Sequence, residues 1–250
     1  MIYFIVQARS GSSRLPNKIL LPFYNDKCIL ELLIKKLKTI QNTKVIIATS
    51  TNPNCDSIES IAEKCNAICF RGSENDVLQR FIDAATNNNA EKIVRVCSDN
   101  PFLELKSIQK LIDYVDSSKE ALDYVSFDIN GSPSIKTHYG FWTEYTTLDA
   151  LKRVKSITNE KLYHEHVTNY IYAHPELFNI QWIKGPDILT NHKDIRLTID
   201  TEEDFKNAQK VYNDLCANNQ YPTINDIITY LDNHQELYKT MKQQITNNSK

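Results

Sequence analysis

Glycine is scarce in this chain: five in 250 residues, so Gly11, Gly72 and Gly140 stand out where they fall. No apolar run is long enough to span a bilayer. The apolar start, Ile2 to Val6, is too short for a signal peptide, has no cleavage pattern and merges into a polar motif, which predicts a cytoplasmic protein with no membrane partner. Basic runs are missing too. Lys+Arg 29 against Asp+Glu 31 leaves a net charge of −2, which argues against nucleic acid. The six cysteines (Cys28, Cys55, Cys65, Cys69, Cys97, Cys216) include no C-x-x-C and no metal-finger spacing, so they read as reduced thiols. Neither the Walker pattern nor G-x-G-x-x-G occurs, and H-E-x-x-H is absent. His164 and His166 lie two apart and would diverge by about 200° on a helix, so they cannot share a zinc ion from one face.

What the chain does carry begins at its start. Ile2 to Val6 reads as a short buried strand, and the loop behind it holds Ala8, Arg9, Ser10, Gly11, Ser12, Ser13, Arg14 and Lys18. Small residues let backbone N–H groups approach an anion, while Arg and Lys side chains neutralise it. Pro16 stiffens the loop and keeps Arg14 and Lys18 apart. This is the composition of a phosphate site.

Downstream, Ile29, Leu32, Leu33, Leu37 and Ile40 recur at three and four as a helix face. Lys44 to Thr49 is an apolar strand, Ile58, Ile61 and Ala62 mark a helix, and Ala67 to Phe70 is a short strand. Residues 77 to 86 are helical, and Lys92 to Cys97 is another strand. This alternation predicts an α/β fold, a mostly parallel sheet with helices on both faces. Leu105 to Ser117 continues as a helix and Leu122 to Phe127 as a strand. Residues 128 to 145 are irregular, and helices are expected over 146–155 and 159–173. One domain is expected over 1–242, followed by a fraying polar tail at 243–250. Ligands of such sheets sit at the carboxyl ends of the strands.

The other polar clusters fall at those ends. Arg71-Gly72-Ser73 follows a strand, and Asp76 has the position of an N-cap. Asp99 closes the strand Val94 to Cys97. It either holds Mg²⁺ against phosphate oxygens or turns the chain before Pro101. Asp200 closes a strand expected at Leu197 to Ile199, and Thr201 with Asp204 makes a capping arrangement for the next helix. Such capping does not account for Asp200.

The run A-R-S-G-S-S-R-L-P-N-K resembles the A-R-x-G-S-x-R-L-P-x-K signature of cytidylyltransferases that activate acidic sugars, and the chain's resemblance to them extends over roughly residues 2 to 215. The chain most resembles the group named after the spore coat polysaccharide biosynthesis protein SpsF, with Kdo (3-deoxy-manno-octulosonate) and acylneuraminate cytidylyltransferases as relatives. The resemblance implies a Rossmann-like, GT-A-like nucleotidyltransferase fold and a homodimer with an arm and acceptor subregion at about 128–175. It also implies CTP and an acidic 2-keto-3-deoxy sugar as substrates, and Mg²⁺ as cofactor. Carried over residue by residue, Ala8, Arg9, Ser10, Gly11, Ser12, Arg14, Lys18, Arg71, Gly72, Ser73 and Asp99 bind nucleotide, and Asp99 and Asp200 bind metal. Arg14, Lys18, Asp99 and Asp200 form the catalytic set.

H-Y-G-F-W is similar to the His-x-Gly-hydrophobic-aromatic run of Kdo cytidylyltransferases. It makes Lys136 and His138 candidates for the acceptor pocket, or else an aromatic strand at a dimer interface. Arg196 either binds the acceptor or pairs structurally. SpsF-like chains carry a carboxylate where this sequence has Trp142, with Glu144 the later acid. E-H-V-T at Glu165 to Thr168 matches the family, and Glu165 and His166 are expected to pack, to form part of the arm or to face substrate. Two rivals stay open: transfer to a phosphorylated acceptor, and a nucleotide-binding partner without catalysis. A glycosyltransferase would want an Asp-x-Asp after a strand, and none is evident.

Overall fold

The computed structural model describes residues 1–217 and 221–248. The elements in chain order are β1 (Ile2–Gln7), β2 (Pro22–Tyr24), β3 (Lys27–Cys28), α1 (Ile29–Leu37), β4 (Thr43–Ser50), α2 (Asp56–Lys64), β5 (Ile68–Gly72) and α3 (Val77–Asn87). Next come β6 (Lys92–Cys97), α4 (Leu105–Ser117), β7 (Tyr124–Ile129), β8 (Ser132–Pro133), β9 (Glu144–Thr147), α5 (Leu148–Ile157), α6 (Lys161–Glu165) and α7 (Asn169–Ala173). The chain closes with β10 (Ile180–Lys184), α8 (Glu202–Cys216), α9 (Ile224–Asp232) and α10 (Gln235–Asn248).

The main sheet has the order β10-β7-β9-β6-β1-β4-β5, with β8 paired to β7. β1 pairs in parallel with β4 on one side and β6 on the other, so the chain order reverses at β1. The crevice above such a reversal is where open α/β sheets bind ligands. β9 is antiparallel to both neighbours, β6 and β7.

Strand alternation divides the core in two. Ile2, Phe4 and Val6 of β1 join the apolar cluster containing α1, α2, α4 and α8 to α10. Tyr3 and Ile5 join the cluster under α3, α5 and α7. The shortage of glycine is met by asparagine. Asn17, Asn25, Asn42, Asn66, Asn89 and Asn130 take positive φ, as does Asp26. Asn tolerates the left-handed conformation better than most side chains, and Asn66 and Asn89 turn the chain just past α2 and α3.

Four expectations change. The helix expected over 159–173 is broken at residues 166–168, because the Thr168 hydroxyl donates to both oxygens of the buried Glu144 carboxylate and turns the chain. Leu197 to Ile199 is not a strand. The N–H groups of Leu197 and Thr198 both donate to the His138 carbonyl, and that of Ile199 to the Asp99 carbonyl, so no single ladder forms. The polar tail to Asn248 continues the helix α10, whose earlier turns carry buried Leu237 and Met241, and residues 249–250 lie outside the described residues. Residues 128–147 fold back into the sheet as β8 and β9. Phe141, Trp142 and Tyr145 are buried in the core there.

Candidate functional site

β1 ends at Gln7, and the loop behind it closes on itself. The N–H groups of Ser12 and Asn17 both donate to the Ser10 carbonyl, at 2.9 and 3.1 Å. Asn17, at φ 57°, turns the chain so that Lys18 faces the strand ends. Lys36, buried in α1, donates to the carbonyls of Pro101 (2.8 Å) and Leu103 (3.1 Å), which pins the segment just after Asp99. Burial pushes the Lys36 amine down to about 8.

These constraints bring seven of the expected residues, Arg9, Gly11, Ser12, Arg14, Lys18, Asp99 and Asp200, to one cleft of about 570 Å³. Lys18 Nζ lies 2.8 Å from Asp99 Oδ2 and 3.5 Å from Asp200 Oδ1, and also donates to the Ile199 carbonyl. Arg14 Nη2 is 2.9 Å from Asp200 Oδ1. Arg9 Nη1 is 3.0 Å from Glu165 Oε1. Every phosphate-binding cation expected from the sequence is thus seated on an acid.

A second cleft of about 480 Å³ adjoins the first and shares Arg95, Cys97, Asp99, His166 and Asp200 with it. Lys136 and His138 line this one. Lys136 Nζ sits 5.2 Å from the Tyr172 ring centroid, a cation–π distance. Gly140 holds φ +70°, and a Cβ there would come within 3.2 Å of Asn100 Oδ1, so glycine best suits the close approach of the His138 segment to the Asp99 turn. Burial, and then the Arg196 guanidinium, push the His138 imidazole below its ordinary value. Burial also drives the Cys97 thiol up to about 11, so it is no nucleophile at neutral pH.

Other expected residues take different places. Ala8 and Ser10 are buried beneath the loop, and Ser10 Oγ lies 3.4 Å from Cys55 Sγ. Arg71 turns away from both clefts to pair with Asp56 and Glu59 at 2.7 Å each and to donate to the carbonyls of Ser50 and Asn52. Gly72 has a packing reason: a Cβ would come within 2.8 Å of the Phe70 ring. Ser73 Oγ accepts the Asp76 N–H, and Asp76 caps α3. Arg196 lines neither cleft. It is buried and spends its donors on Asp204, Asp200 and His138, contacts that match the structural alternative.

Trp142 is buried in an aromatic wall, 5.9 Å from the stacked Phe127 ring, and its indole N–H has no partner among the described residues. Sequence reasoning missed Arg95 and undervalued Glu144. They pair at 2.5 Å, and the same carboxylate accepts from Tyr124 and Thr168. Arg95 Nη2 also donates to Gln7 Oε1 at 3.1 Å. An arginine inside the apolar strand K-I-V-R-V-C was the signal.

Asp99 and Asp200 also fit a divalent ion. They face one cleft from segments joined by the Ile199–Asp99 backbone bond, and a single ammonium reaches both. Among the described residues no cluster of three His, Cys, Asp or Glu side chains could hold a metal alone. Mg²⁺ suits such a pair, since it takes one or two carboxylates and completes its shell with phosphate and water.

The sequence profile of a family described as Cytidylyltransferase matches residues 3–245. An uncharacterised protein of Methanocaldococcus jannaschii is 38% identical over 239 residues, covering 93% of this chain and 91% of that protein. The spore coat polysaccharide biosynthesis protein SpsF of Bacillus subtilis is 31% identical over 216 residues, covering 84% and 86%. Among solved structures, a cytidylyltransferase of Leptospira borgpetersenii superposes with TM-score 0.82 at 28% identity, over 95% of this chain and 96% of that one. A CMP:2-keto-3-deoxy-manno-octonic acid synthetase complexed with CTP gives TM-score 0.62 at 14% identity, over 84% and 97%; this more distant likeness concerns the fold. With nearly its whole length matched, the chain belongs to the cytidylyltransferase family.

Proposed function

We propose that the protein transfers CMP from CTP to an acidic 2-keto-3-deoxy sugar of the Kdo or nonulosonate kind, with Mg²⁺, giving a CMP-sugar and pyrophosphate for surface polysaccharide synthesis. The observation that carries this reading is Lys18 Nζ between Asp99 and Asp200, where the phosphate-binding cleft opens into the cleft of Lys136 and His138.

Arg9, Arg14 and Lys18 grip the β and γ phosphates and neutralise the pyrophosphate as it leaves. Asp99 and Asp200 would hold the metal, which would supply Lewis-acid stabilisation to the α-phosphate and the attacking hydroxyl. Lys136 and His138 orient the acceptor so that its anomeric hydroxyl meets the α-phosphorus in line. Positioning and electrostatics carry most of the rate in such transfers. The acceptor-side charge supports an acidic sugar, because Lys136 has no carboxylate partner among the described contacts of this cleft.

A second reading rests on Trp142, which stands where SpsF-like chains carry a carboxylate; without that negative charge a phosphorylated acceptor also fits. The exposed Leu162, Leu177 and Trp182 support a homodimer, which sedimentation equilibrium tests. The same reading puts the enzyme in the cytoplasm, where nucleoside triphosphates are made.

The deciding experiment is pyrophosphate release with Mg²⁺, testing CTP, UTP, ATP and GTP against Kdo, nonulosonates and sugar phosphates. Release with CTP and a keto acid supports the main reading. Release only with a phosphorylated acceptor replaces it with the second. No release with any pair, despite CTP binding, sinks catalysis on these substrates.

A further inference from the structure

Arg196 is 2% exposed and makes four side-chain contacts. Nε and Nη2 hold Asp204 Oδ1 and Oδ2 at 2.7 and 2.9 Å, Nη2 holds Asp200 Oδ2 at 3.1 Å, and Nη1 lies 2.9 Å from His138 Nδ1. Burial works to raise the Asp204 carboxyl, but Arg196 and the N–H groups of Thr201 and Asp200 bring it below its ordinary value, so the anchor is anionic.

A guanidinium has five donors and no acceptor. The imidazole nitrogen facing Nη1 must therefore accept, and a ring that accepts at Nδ1 carries its hydrogen on Nε2. The His138 backbone is held as well, since its carbonyl accepts the N–H groups of Leu197 and Thr198 at 2.8 and 3.1 Å. No protein group among the described residues pairs with Nε2, and His138 lines the cleft assigned above to the acceptor.

We infer that Arg196 locks His138 in its neutral Nε2–H tautomer, so that the acceptor cleft presents one fixed hydrogen-bond donor for an oxygen of the acceptor. The inference rests on the acceptor-pocket reading for the donor's use, though not for the tautomer itself. Arg196 is then a positioning residue for both sides of the transfer: Nη2 fixes Asp200 beside the phosphates and Nη1 fixes His138 beside the acceptor. His138 becomes a donor that selects a carboxylate, carbonyl or hydroxyl oxygen. It is not a proton acceptor for the attacking hydroxyl.

The tautomer is read directly by long-range ¹H–¹⁵N correlation at neutral pH on wild-type protein labelled at histidine, with His138 assigned by its loss in His138→Gln. Coupling patterns for a protonated Nε2 and a bare Nδ1 are expected. A protonated Nδ1, or an imidazolium, at His138 overturns the inference. The donor's use is read by kinetics on whichever acceptor turns over. His138→Gln can turn its carbonyl to Arg196 and its amide N–H₂ to the cleft, so the acceptor KM should stay within about threefold of wild type, whereas His138→Leu should raise it about tenfold or more. CTP Kd should not change in either variant. An unchanged acceptor KM in His138→Leu overturns the donor role. If no acceptor turns over even with wild type, the functional reading above fails, while the NMR result still decides the tautomer.

Discussion

Lys18 and Asp99, 81 residues apart in the chain, meet at 2.8 Å, and the same ammonium reaches Asp200 at 3.5 Å. Lys18 thus occupies the position a divalent ion would need. On the proposed function, a bound triphosphate would draw it away, since phosphate oxygens would compete for its donors, and would free the two carboxylates. Lys18→Met should therefore have opposite effects on two readouts. Turnover should fall about 10²–10³-fold, the cost of removing one transition-state donor. Mn²⁺ affinity without nucleotide, read by electron paramagnetic resonance, should rise, because the competing cation is gone. A variant that binds Mn²⁺ more weakly than wild type would refute the competition.

Arg71 separates what resemblance implies from what the contacts allow. Its guanidinium ties β5 to α2 and to the carbonyls after β4, and it lines neither cleft. Arg71→Met should lower the thermal midpoint while leaving CTP affinity nearly unchanged. Arg9→Met should do the reverse, weakening CTP about tenfold, the worth of one charge-assisted hydrogen bond. Calorimetric titration and melting curves on both variants check this pair. A large loss of CTP affinity in Arg71→Met would return it to the nucleotide pocket.

The strand ends were legible because an apolar run that stops on a cation, a small residue or an acid has few other uses in a parallel sheet. β6 and α4 fall at the expected residues, Lys92–Cys97 and Leu105–Ser117. Side-chain direction was not legible. Arg71 and Arg196 look in the sequence like further phosphate or acceptor cations, and both are taken by carboxylates whose positions only the fold sets. Asp204 offered a hint, since an acid at the third position of a capping box is already buried near its own N-cap. The break after α6 was hidden for a similar reason. The apolar pattern runs on through Val167 and Ile171, and the Glu144 carboxylate that bends the chain is more than twenty residues upstream.

Glu144 is the hub of that buried network. It is 2% exposed and holds Arg95 of β6, Tyr124 of β7 and Thr168 at the α6–α7 break. Removing one partner of a buried pair leaves the other charge uncompensated, so Glu144→Ala should destabilise the fold by about 3–5 kcal/mol. Glu144→Gln keeps one acceptor oxygen and should cost less, about 1–3 kcal/mol. Urea unfolding gives both values. Thr168→Val removes only the hydroxyl and should loosen the segment carrying His166 into the clefts, seen as faster amide exchange at residues 166–169. Unchanged exchange there would mean that packing alone holds the bend.

Alkaline stability has a sign that can be worked out group by group. Burial raises the thiols of Cys28, Cys69, Cys97 and Cys216 from 9.0 to about 11. Between those values the unfolded chain has released these protons and the folded one retains them, so stability falls as pH rises. Lys36 acts oppositely. Burial lowers it from 10.5 to about 8, so within that window the unfolded chain holds the extra proton and stability rises with pH. Four thiols outweigh one amine, and the thermal midpoint should decline from about pH 9 to 11. Lys36→Met deletes the opposing contribution, so its decline over the same range should be steeper than that of wild type. Melting curves at fixed ionic strength test both slopes. A parallel decline in the two proteins would place Lys36 in the same protonation state in the folded and unfolded chains.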